Sequence, residues 1–167
     1  MNAHTSSVCY GFDMERTVVL VKPDGIQRGL VGEIVTRFER KGLKLLGLKM
    51  IHLTDEILDE WYVHHKDKAF FGDLKKFMKW TPIVAMVWQG QNGIDVVRRI
   101  VGVTKGFEAE SGSIRGDFGM SGSQNIVHAS DSVESAEKEI GLMFDEKEIF
   151  ERYESATECL VYGDHER

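Results

Sequence analysis

The chain has 167 residues, 42% apolar and 29% charged, with a formal net charge of −6. That length suits one domain with a sizeable core, and the acidic balance excludes capture of nucleic acid by bulk attraction, leaving room only for a local basic pocket. No apolar run approaches membrane-spanning length, and Cys9 and Cys159 form neither a C-x-x-C pair nor a metal-ligand spacing, which suits a reducing, cytoplasmic setting.

Residues 1–15 lack the basic start and apolar middle of a secretory signal and read as a loose extension ahead of a single domain over 16–167. Thr17 to Val21 is a continuous apolar run, expected to be a central strand, and Pro23 and Gly25 end it. Val31, Ile34, Val35 and Phe38 share one helical face, closed by Gly42. Leu45 to Ile51 reads as a second strand. Thr54 then caps a helix through Ile57, Leu58, Trp61, Tyr62 and His65. A short helix follows from Asp73 to Lys79, and a strand from Pro82 to Trp88, with proline tolerated at its first position. Ile94, Val97 and Val101 mark a further amphipathic helix. From Gly102 to Gln124 glycines recur at 102, 106, 112, 116, 119 and 122, the texture of a long loop carrying function.

Ile126 and Val127 read as the end of a buried strand, with His128 directly after it. Asp131 or Ser132 is the expected cap of the next helix, with Glu134 completing a capping box from Asp131. Val133, Ala136, Ile140 and Met143 form that helix's inner face, and Asp145 with Glu148 suggests another box. Cys159 to Tyr162 is a short apolar tail segment. Strand, helix, strand, helical pair, strand, helix, strand, helix suggests two split strand–helix–strand units. The expected fold is an α+β ferredoxin-like sandwich, a four-stranded antiparallel sheet with helices covering it. An open parallel sheet is the alternative that element order leaves standing.

A lone histidine is most often a satisfied core residue. His128 differs in company: an amide, a hydroxyl and a helix start surround it on a rigid strand, as a positioned nucleophile requires. The chain has no G-x-x-x-x-G-K-[ST] loop, and no two glycines are spaced for G-x-G-x-x-G. Phosphates would therefore be held by side chains. Lys22 at the first strand's exit, Arg98 on the helix ending near Val101, Thr104 just after it, and Arg115 among glycines are the candidates. Each alone would ordinarily be a solvated surface residue. Glu139 lies two helical turns past Ser132, beside apolar Ile140. A helix folded back along the strand would bring it to the His128 ring, to orient it and stabilise positive charge there.

The stretch N-I-V-H-A-S-D-S at 125–132 resembles the active-site signature of nucleoside diphosphate kinases. The resemblance runs from Glu15 to Tyr162 and includes V-K-P-D-G-I-Q-R-G-L-V-G-E-I from Val21, A-M-V-W from Ala85, I-R-G-D-F from Ile114 and S-V-E-S-A-E-K-E-I from Ser132. It implies transfer of the γ-phosphate of a nucleoside triphosphate to a nucleoside diphosphate in two half-reactions. His128 would carry the phosphoryl group on Nδ1, with Glu139 and Ser130 holding its ring. Lys22, Tyr62, Arg98, Thr104 and Arg115 would bind phosphates, Lys22 and Asn125 the sugar, and Phe70 would stack on the base. Mg²⁺ would bridge the phosphates without a full set of protein ligands. The family's common assembly is a homohexamer, with tetramers known. Two departures fall in the glycine-rich loop: Gly106 stands where many members have proline after T-N, and Ser111 replaces a later proline. Both should loosen the loop and bear on assembly. A nucleotide-binding regulatory module and a protein-directed phosphotransferase remain the rival readings.

Overall fold

A computed structural model describes residues 14–163. The extension expected over 1–15 lies outside the described residues except for its last two positions, as does Cys9. The elements are β1 (Met14–Val21), α1 (Pro23–Gln27), α2 (Val31–Lys41), β2 (Lys44–Ile51), α3 (Asp55–Trp61), α4 (Phe71–Met78), β3 (Ile83–Gln91), α5 (Gly93–Val101), α6 (Ile114–Phe118), β4 (Val127–Ala129), α7 (Val133–Met143) and α8 (Glu158–Val161).

The strands form one sheet in the order β2-β3-β1-β4, with every neighbouring pair antiparallel. This is the ferredoxin-like arrangement, and it removes the parallel-sheet alternative. β1 sits inside the sheet with both faces covered, which explains its unbroken apolar run. Val19 and Val21 face one core with Phe38 of α2 and Val97 and Val101 of α5. Val18 and Leu20 face the other, with Leu58 of α3, Met78 of α4 and Ile140 and Met143 of α7.

Most helix boundaries follow local chemistry. Gly42 closes α2 in the left-handed region at φ 91°, where a side chain would be strained. Thr54 caps α3 by accepting from Ile57 N at 3.3 Å. The helix does not continue to His65, however: it stops at Trp61 and tightens into a 3₁₀ turn over Val63–His65. The box at Asp145 and Glu148 forms as expected.

Three other expectations are corrected. Ile126 is not part of a strand: its φ is 72°, and His128 is the middle residue of β4 rather than the residue beyond it. Of the two expected caps of α7, Ser132 takes the position, accepting from Ser135 N at 3.1 Å, so the capping box expected from Asp131 to Glu134 does not start the helix. The segment 102–124 is not structureless, since it folds into a 3₁₀ turn at Gly106–Glu108 and the helix α6. Gly106 and Gly116 serve close backbone crossings. A Cβ on Gly106 would lie 2.3 Å from Gly119 O, and one on Gly116 would lie 2.0 Å from Glu110 O.

Candidate active site

Strand alternation places His128. Val127 and Ala129 point into the core shared with α2 and α5, so the residue between them points to the opposite face. There α7 runs beneath the sheet and delivers Glu139, which is 5% exposed. His128 Nε2 lies 2.8 Å from Glu139 Oε1. Ser130 Oγ donates to Glu139 Oε2 at 2.6 Å and accepts from Val18 N of β1 at 3.0 Å. Trp61 Nε1, at the end of α3, donates to the same Oε1 at 2.9 Å.

These contacts fix the protonation pattern. Burial pushes the Glu139 carboxyl upward, but hydrogen bonding and charge from His128, with donors from Ser130 and Trp61, outweigh it and leave it below the usual range. An ionised carboxylate only accepts, so Nε2 of His128 carries the proton. In the neutral ring Nδ1 then holds the lone pair, on a side chain that keeps 24% of its surface exposed.

The cationic side is built differently. Lys22 leaves β1 as the residue before α1, buried, with Nζ donating to Asn125 Oδ1 at 2.8 Å and Ser123 O at 2.6 Å. Asn125 in turn donates to Thr104 O at 2.7 Å and Gly122 O at 3.1 Å. Arg115 of α6 spends three N–H groups on carbonyls: Asn125 at 3.3 Å, Gly102 at 2.8 Å and Val127 at 2.8 Å. Burial lowers Lys22 to about 8, with Asp24 raising it and Arg115 lowering it further. Burial and nearby Arg98 lower Arg115 to about 10. Between these groups Ile126 is held at positive φ, an uncommon state for a β-branched residue. Its N–H donates to Asp24 Oδ2 at 3.0 Å, and its carbonyl accepts from Lys22 N at 2.8 Å.

The two halves face one cleft of about 1070 Å³. Lys22, Tyr62, Phe70, Arg98, Thr104, Arg115, Asn125, His128 and Glu139 all line it; Ser130 alone of the sequence-designated residues sits behind, fully buried. Phe70 stands at the mouth, 53% exposed. Burial and the nearby Glu139 charge push the Tyr62 phenol up, so it stays protonated as a donor. Sequence reasoning gave no site role to Trp61, Asp24 or Phe77, whose ring lies 5.1 Å from Lys22 Nζ. Trp61 carried a usable signal: an indole N–H on an inward helix face must find an acceptor.

The family model for nucleoside diphosphate kinase matches residues 15–149. A nucleoside diphosphate kinase of Staphylothermus marinus is 56% identical over 137 residues, 82% of this chain and 97% of that one. The solved structure of the Halobacterium salinarum nucleoside diphosphate kinase in complex with CDP superposes with a TM-score of 0.87 at 42% identity, covering 90% of this chain and all (100%) of that one. The Babesia bovis family protein gives 0.85 at 45% identity, covering 89% and 99%. By sequence and by fold together, this chain belongs to the nucleoside diphosphate kinase family.

Proposed function

We propose that His128 carries the phosphoryl group between two nucleotides in a ping-pong reaction. The observation that carries this reading is the His128–Glu139 hydrogen bond, whose carboxylate acceptor favours the tautomer with the proton on Nε2 and the nucleophilic lone pair on Nδ1. The Nδ1 lone pair attacks the γ-phosphorus, a P–N bond forms, and the bond from γ-phosphorus to the bridging oxygen breaks. The nucleoside diphosphate leaves with that oxygen and its electron pair. The proton stays on Nε2, and Glu139 stabilises the positive charge that develops on the ring. A second nucleoside diphosphate then reverses the step through its terminal phosphate oxygen. Ser130 fixes the carboxylate.

Lys22, Arg98, Arg115, Tyr62 and Thr104 are assigned to the phosphates, where fixed charge and several donors match spread negative charge. Lys22 and Asn125 are assigned to the sugar. Phe70 is assigned to the base, since an aromatic face stacks on any of them and gives broad base tolerance. Mg²⁺ is the assigned cofactor. Carried on the nucleotide phosphates, the ion would neutralise their charge; among the described residues no group of three or more His, Cys, Asp or Glu side chains is placed to hold a metal. A homo-oligomer is proposed, hexamer before tetramer; association of some kind accords with the edge strand β2, where Leu48 and Met50 are 49% and 60% exposed. One catalytic unit over 16–167 in the cytoplasm completes the reading; no described helix is long and apolar enough to cross a membrane.

The test is labelling. Protein incubated with γ-labelled ATP and Mg²⁺ should take up label that survives alkali and is lost in acid, and unlabelled GDP should discharge it as GTP. His128→Ala should abolish labelling and lower turnover by at least about 10⁴-fold with melting little changed. A regulatory module would never label. A protein-directed phosphotransferase would label but fail to discharge to GDP.

A further inference from the structure

The geometry points to Trp61 as a positioning residue for the imidazole, acting through Glu139 and resting on the reading that His128 is the phosphoryl acceptor. Its indole N–H and the His128 Nε2–H converge on one oxygen, Oε1, at 2.9 and 2.8 Å. Ser130 occupies Oε2. The carboxylate is thereby held from α3, from β4 and, through Ser130, from β1. Two donors on one oxygen fill both of its in-plane lone pairs and fix the carboxylate's rotation about its own axis. The acceptor direction offered to Nε2 is fixed with it.

The indole also touches the ring it serves. Its centroid lies 4.8 Å from that of His128 at an interplanar angle of 88°, an edge-on contact that the imidazole would have to disturb in order to turn over. Such a turn would carry Nε2 away from Glu139 and move Nδ1 from its place. Trp61 further stacks on Tyr62 at 4.4 Å, so one side chain braces both the acceptor and a residue assigned to the phosphates. A phenylalanine at this position could keep the packing and the edge contact but could not donate. The N–H is therefore the separable part of the role.

Trp61→Phe is the test, on the full chain. Rapid mixing with ATP and Mg²⁺ should show phosphoenzyme formation about tenfold slower, the effect of losing one hydrogen bond to a charged group. The KM for nucleotides should stay within about twofold and the melting temperature within a few degrees. Nitrogen NMR of histidine-labelled protein, with the His128 signals assigned by difference from His128→Ala, should show a single Nε2–H tautomer in the wild type. In Trp61→Phe it should show a mixture. A variant that keeps the wild-type rate and the single tautomer overturns the assignment. So does one whose only change is a raised KM, which would put Trp61 in nucleotide binding through Tyr62. If the wild type fails to label at all, His128 as acceptor falls. The NMR comparison still decides Trp61, because it needs no turnover: a single Nε2–H tautomer retained in the variant overturns the role, and a mixture upholds it.

Discussion

The two walls of the cleft are held by different means. On the His128 wall, side chains bond to one another: the imidazole of β4, the carboxylate of α7, the indole of α3 and the hydroxyl of Ser130, the residue just past β4. On the opposite wall, cationic side chains bond to backbone carbonyls of the glycine-rich segment and of the stretch that leads from it into β4: Lys22 to Ser123, and Arg115 to Gly102, Asn125 and Val127. In the first arrangement the chemistry rests on a scaffold that stands without it. In the second, the groups assigned to the phosphates also hold the loop in shape. Function and stability should therefore separate on one wall and travel together on the other.

Among the substitutions that probe this contrast, Arg115→Ala is expected to give the largest effect. It removes a cation from the cleft and strips the donors from three carbonyls. Turnover should fall by roughly 10²–10³. Stability should fall by about 2 kcal/mol, a drop in melting temperature of roughly 5 °C. Steady-state kinetics beside calorimetry checks both. A variant that loses activity yet melts like the wild type would break the contrast between the walls.

Glu139→Gln should lose about 10²-fold in turnover, since charge opposite the developing imidazolium is removed. Its melting temperature should stay within about 2 °C. The amide oxygen can still accept from His128 Nε2 and Trp61, and the amide nitrogen can donate to Ser130 Oγ, so no buried partner is orphaned. A large fall in stability would show that the first wall depends on its ionised carboxylate as much as the second depends on its guanidinium.

The same contrast governs what could be read from the sequence. His128 and Glu139 were legible because periodicity is local: alternation fixes the side of a strand, and two helical turns fix where Glu139 lies relative to Ser132. The sheet was legible for the same reason. Ile126 was not, because its left-handed state is imposed by Asp24 and Lys22, 102 and 104 positions away in the chain. The sequence left Asp131 and Ser132 both open as the cap of α7 because both are good cap residues, and only the entry path of the chain from β4 selects Ser132. The compactness of 102–124 escaped notice because glycine signals freedom in a sequence, whereas Gly106 and Gly116 serve close contact in the fold.

That last point reverses the expectation attached to the missing prolines. Gly106→Pro would restore a residue common in the family, yet it should destabilise this chain by about 2 kcal/mol. Proline has no N–H, and Gly106 N donates to Ser121 O at 3.2 Å. Its Cβ would meet Gly119 O at 2.3 Å. Chemical denaturation measures this, and a rise in midpoint would show that the loop can repack around the ring.

The smallest expected effect is in pH. Lys22 lies at about 8, pressed down by burial and by Arg115 against the pull of Asp24. As pH rises from 7 to 9 its ammonium is lost, and affinity for a nucleoside diphosphate should weaken by up to about tenfold, with one inflection near 8. Arg115, at about 10, keeps its charge over that range and should add no second inflection. The sign for folding is opposite. A lysine whose folded pKa lies below its unfolded value of 10.5 burdens the folded state below pH 8 and releases that burden as pH climbs from 8 past 10.5. Calorimetric titration with GDP at fixed ionic strength follows the first trend, and denaturation across the same pH series follows the second. A flat affinity profile from pH 7 to 9 would mean that Lys22 stays charged, and that water reaches this wall of the cleft as freely as it reaches the mouth at Phe70.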